Sequence, residues 1–135
     1  MNFFDNFFEL ENIIFPKFYT VADSDNNEYV FLQNGEKIKT LSHVQDKTQL
    51  EAYENHFHIF GKIKQKYKKQ ALKVAELITE NLIKQLTSQF PDKKFHVYLS
   101  FDIKDHVIIR FHQHWNDEHP YYDVNEFPEI KEFVF

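Results

Sequence analysis

The sequence predicts a single α+β domain, an antiparallel sheet packed against a long, broken central helix. Three observations predict it. Short aromatic and β-branched runs punctuated by turn residues occur over residues 17–33 and again over 94–114. Between them, Leu50, Tyr53, Phe57 and Phe60, then Tyr67, Ala71, Val74, Ile78, Leu82 and Leu86, recur at mostly helical spacing. The chain has 135 residues and 42% hydrophobic content, enough for one core and not for two, so residues 1–135 read as one domain.

The elements follow in order. Phe3, Phe4, Phe7, Phe8, Leu10, Ile13 and Ile14 repeat at three and four, which predicts a short amphipathic helix over 3–15 ended by Pro16. Residues 17–22 and 28–33 read as strands around Asp23-Ser24-Asp25-Asn26-Asn27, a hairpin signal. Asn34-Gly35 is a second tight turn, with a third strand over 36–41. Thr48-Gln49-Leu50-Glu51 matches a capping box and opens the helical block, which Pro91 stops. One helix of about 42 residues would span about 63 Å, far more than a domain with a radius of gyration of about 14 Å accommodates. A break near Gly61 is expected, giving helices over 48–59 and 62–89. Residues 94–101 and 106–114 then form two central strands, apolar at both parities, joined by a turn over 102–105. Residues 129–135 close the chain as a short strand or helical turn.

Composition removes most motif-bearing enzymes. The two glycines, Gly35 and Gly61, lie too far apart for a phosphate-cradling loop, a dinucleotide fingerprint or a nucleophile elbow. With no cysteine, thiol catalysis, cysteine-based zinc sites, iron–sulfur clusters and disulfides are excluded. No basic residue precedes Lys17 and no long apolar run occurs, so neither a secretory signal nor a membrane span is expected, and the cytoplasm is the expected compartment. Charge is uneven: residues 1–60 carry a net −6, residues 61–94 a net +6 and residues 95–135 a net −5. The lysines over 62–73 read as the solvated face of a helix. No direct nucleic-acid binding is expected of a chain with a net charge of −5.

Two constellations remain. His112 and His114 sit two apart on a strand and leave the same face, and Glu118 and His119 follow in a loop. That quartet gives the alternative reading, a metal-binding protein or metal-dependent enzyme. His56 and His58, two apart on the predicted helix, face different directions, and His96 and His106 fall on opposite faces of their strands. A ribonuclease-like use of Arg110 with His112 or His114 is opposed by Asp117, Glu118, Asp123 and Glu126, which would repel a phosphodiester. The second constellation interleaves acids with aromatics: Trp115, Asp117, Glu118, Tyr121, Tyr122, Asp123 and Glu126. Aromatics anchor interfaces and exposed acids steer a basic partner, so these seven form the expected contact surface for a protein, with no cofactor.

The run Arg110-Phe111-His112-x-x-Trp115-x-x-Glu118-x-Pro120-Tyr121-Tyr122-Asp123, in a small acidic cysteine-free chain, resembles the immunity proteins of bacterial polymorphic-toxin and contact-dependent inhibition systems. The resemblance implies a non-enzymatic cytoplasmic protein that binds a cognate toxin domain, usually a nuclease, and blocks it.

Overall fold

The structure is a computed structural model, and it describes residues 14–33, 46–61, 63–102 and 106–135. Among these the chain runs β1 (Phe18–Ala22), β2 (Glu28–Leu32), α1 (Lys47–Glu54), β3 (His56–Phe60), a 3-10 turn (Gln65–Tyr67), α2 (Lys68–Gln89), β4 (Phe95–Asp102), β5 (His106–Gln113) and β6 (Ile130–Val134). The class is α+β, with two antiparallel sheets where one is expected: β1 with β2, and four strands in the order β3-β5-β4-β6. The helix over 3–15, apart from its last two residues, the Asn34-Gly35 turn, the strand over 36–41 and most of the turn over 102–105 lie outside the described residues. No helix among the described residues is long and apolar enough to cross a membrane.

The β1–β2 turn forms where its residue types direct. Asp23 Oδ1 accepts from the Asp25 and Asn27 amides at 2.9 and 3.0 Å, and Asn26 takes the left-handed backbone that asparagine tolerates, with φ of 63°. The central helical block departs from its expected form. It breaks at Asn55, well before Gly61, and a strand follows instead of more helix. His56-Phe57-His58-Ile59-Phe60 is aromatic and β-branched, and pairing with β5 satisfies its backbone across the sheet. The helix cap is also not the expected box. Asp46 is the N-cap, accepting from the Gln49 amide at 2.7 Å, while Thr48 sits inside the helix and Glu51 is buried.

Helix α2 buries Ala71, Ala75, Ile78, Leu82 and Leu86, one stripe at spacings of three and four. The stripe packs with Phe95, Val97 and Leu99 of β4, and Val107, Ile109 and Phe111 of β5, in one core that Val30 and Leu32 of β2 also enter. Burying each large apolar side chain stabilises by about 1.5–3 kcal/mol. Pleating sends the intervening residues to the opposite face, and there the sheet is polar. Register aligns His56, Arg110, Tyr98 and Glu132 in one row across all four strands, with His112 beside His96 in the next. Both central strands are therefore flanked as expected; α2 covers one face of them, and among the described residues Tyr121 and Tyr122 lie over the other.

Between the two sheets, side chains of α1 replace a strand. Val30 N–H donates to Glu51 Oε2 at 2.8 Å, Leu32 N–H donates to Asn55 Oδ1 at 2.7 Å, and Asn55 Nδ2 donates to the Val30 carbonyl at 2.8 Å. On the β5 side, Gln113 N–H donates to Glu51 Oε1 at 2.9 Å and Phe111 N–H to the Asn55 carbonyl at 3.0 Å. The edge of β2 that faces β5 is thus satisfied without direct strand pairing.

Candidate functional site

The seven residues of the expected contact surface divide into two groups. Trp115, Asp117 and Glu118 gather at the start of α1. Trp115 Nε1–H donates to Glu51 Oε1 at 2.8 Å, and its half-buried ring lies 5.7 Å from Tyr29 and under the Lys47 ammonium at 5.2 Å. Glu118 accepts from the Thr48 and Lys47 amides at 2.7 and 3.3 Å, supplying α1 with an N-terminal anion from elsewhere in the chain. Lys47 pairs with both Glu118 and Asp117 at 3.1 Å, so one of the two negative charges here is offset. Burial pushes the Glu118 carboxyl up, but its hydrogen bonds to Thr48 and Lys47 outweigh that and hold it below the usual range.

Tyr121, Tyr122, Asp123 and Glu126 lie over the polar face of the sheet. The Tyr121 ring meets Tyr53 edge-on at 5.9 Å and carries the Arg110 guanidinium at 5.0 Å; Tyr122 stands edge-on to Tyr98 at 5.0 Å and to Phe127 at 5.9 Å. Asp123 caps its own turn, accepting from the Asn125 amide at 3.1 Å, and both Asp123 and Glu126 are exposed. Next to them an open pocket of about 420 Å³ is lined by His119, Pro120, Tyr122, Asp123, Asn125 and Glu132, among others.

Beneath this loop three imidazoles stack. His96 lies between His112 and His114, with ring centroids 4.9 and 5.1 Å away. His96 Nδ1 meets Glu132 Oε2 at 2.9 Å and its Nε2 meets His114 Nδ1 at 2.8 Å. A carboxylate accepts, so His96 carries a hydrogen on Nδ1, and when neutral it accepts the His114 Nδ1–H at Nε2. This chain could pass a proton between the His114 ring and Glu132. Burial and the neighbouring His96 hold His114 below the ordinary histidine value, and burial lowers His112 to about 4.

The metal quartet is not assembled. His112 spends both ring nitrogens inside the protein, Glu118 is committed to α1, and His119 lines the pocket. Among the described residues no group of three or more histidines and carboxylates is placed to hold a metal ion. Nor does Arg110 reach outward toward a phosphodiester: its guanidinium donates to the Ala52 carbonyl and covers Tyr121. His56 and His58 share a face of β3, with rings 5.9 Å apart, because they lie on a strand and not on a helix.

Glu51, His96 and Glu132 are absent from the expected set. Glu51 follows Thr48 at capping-box spacing, which masked its role. His96 escapes because its partner depends on register. A turn over 102–105 would pair Phe101 with His106, whereas β4 pairs Asp102 with His106, a slip that sets His96 opposite His112.

A family described as "Uncharacterized protein PM0498 family" matches residues 8–135. The chain belongs to this family. No curated protein and no solved structure matches the chain.

Proposed function

We propose that this protein is a non-enzymatic cytoplasmic binding protein that neutralises a cognate toxin, a basic nuclease domain, by covering its substrate-binding site. The contact surface is the loop over 115–129. The observation that carries the reading is how this loop is built. It contains no lysine or arginine, and it exposes Asp123, Glu126 and Glu129 beside Phe127, which is 39% exposed. Tyr121 and Tyr122 tie it to the sheet by defined ring contacts, so little ordering entropy is lost on binding. Exposed carboxylates would steer a basic domain and take the positions of nucleic-acid phosphates upon it. Lys47 offsets one of the two charges of Asp117 and Glu118, so Asp123, Glu126 and Glu129 carry most of the unpaired charge.

The test is to mix the purified protein with the C-terminal domain of the toxin encoded beside its gene. A stable complex on size-exclusion chromatography is expected, with loss of the toxin's nuclease activity. Absence of a complex would overturn the reading.

A further inference from the structure

The neighbours of His112 dictate its protonation state. Its Nδ1 lies 2.7 Å from the Gln113 carbonyl oxygen, which can only accept, so Nδ1 carries the hydrogen. Its Nε2 lies 3.2 Å from the Tyr121 backbone nitrogen, which can only donate, so Nε2 presents a lone pair. The Tyr98 hydroxyl, which can donate or accept, lies 3.1 Å from the same nitrogen. A proton added at Nε2 would set N–H against N–H. The residue is 1% exposed, so water cannot replace the lost acceptor while the loop stays down.

We infer that His112 is an acid-sensitive latch on the loop: neutral, it accepts the Tyr121 amide and holds residues 121–127 against the sheet, and protonated at Nε2 it releases them. Burial, more than the charges around it, makes this a late event. His96 from β4 and His114 from the end of β5 repel an added proton, and Glu118 from the loop attracts it. Tyr98 faces it from β4 and Tyr121 from the loop. Glu132 of β6 reaches His96 and not His112. Once the amide is freed, the remaining ties are the ring contacts of Tyr121 with Tyr53 and Arg110, and of Tyr122 with Tyr98. The latch bears on toxin binding only through the proposal above, whereas the movement of the loop does not depend on it.

The test uses the full chain alone, labelled with ¹⁵N. At about pH 7 the His112 nitrogens should show the Nδ1–H tautomer, and the Tyr121 amide should be protected from exchange. Acidification to about pH 3.5 should lower Tyr121 protection, corrected for the intrinsic rate, by about tenfold or more in step with His112 titration, while the Leu99 and Ile109 amides stay protected. A proton on Nε2 at neutral pH, or Tyr121 protection that persists until β4 and β5 also exchange, would overturn the latch. With no partner in the tube, neither result bears on whether a toxin binds.

Discussion

Glu51 is a fully buried carboxylate that receives four N–H groups: two backbone amides, the Gln113 side chain at 2.7 Å and the Trp115 indole. Burial pushes the carboxyl up, and the donors pull it only part of the way back. Since every partner is a donor, the acceptor-only ionised form fits and an amide does not. Glu51→Gln would turn an N–H toward another N–H and should cost about 1–3 kcal/mol in urea denaturation. Wild-type stability in the variant would show that Glu51 is protonated in the fold. His112 makes the complementary case. Its value of about 4 lies below the ordinary 6.5, so the unfolded chain takes up its proton first as pH falls. Its contribution is whole above about pH 6.5 and is lost as pH falls towards about 4, an effect of about 3 kcal/mol. His112→Phe should flatten stability against pH across that window in a series of chemical denaturations.

At the scale of elements, α1 is the connector. Eight residues long, it is too short to be stable alone and is held by what it joins. Its start is capped by Asp46 and by Glu118, and its end inserts Asn55 against β2. Asn55→Asp keeps the acceptor for Leu32 N–H but sets a carboxylate against the Val30 carbonyl; Asn55→Ala loses both. Each should cost about 1–3 kcal/mol, with faster amide exchange at Leu32 in the alanine variant only. Glu118→Lys should also destabilise, by about 0.5–2 kcal/mol, through the lost cap, while its exposed neighbour's variant Asp117→Lys should stay within about 0.5 kcal/mol. Equal thermal melts for the two would refute the capping role.

For the whole molecule, the two sheets enclose one apolar core and leave a histidine-bearing face under an acidic aromatic loop. Under the binding proposal, Asp123→Lys combined with Glu126→Lys should slow association with a basic partner, most strongly at low salt, and leave dissociation nearly unchanged. Stopped-flow traces at two ionic strengths would decide it. Trp115→Ala is no simple probe of the interface, because its indole N–H satisfies the buried Glu51 and its loss should lower stability as well.

Local chemistry is what the sequence by itself determined. The Asp23–Asn27 turn, the α2 stripe and the β4 and β5 strands are each written in residues that contact near neighbours, so their patterns are legible without a fold. Decisions between distant segments belonged to the tertiary structure alone. Whether residues 56–60 become helix or strand depends on β5 being there to pair with them. Glu51 resembles a local cap until β2 and β5 bring it their amides, and Glu118 reaches its helix across 70 residues. The stacked imidazoles exist because of a single register, in which moving one strand by one residue would carry His96 away from His112. Spacing along the chain encodes periodicity, whereas partnership across it is settled only when the core closes.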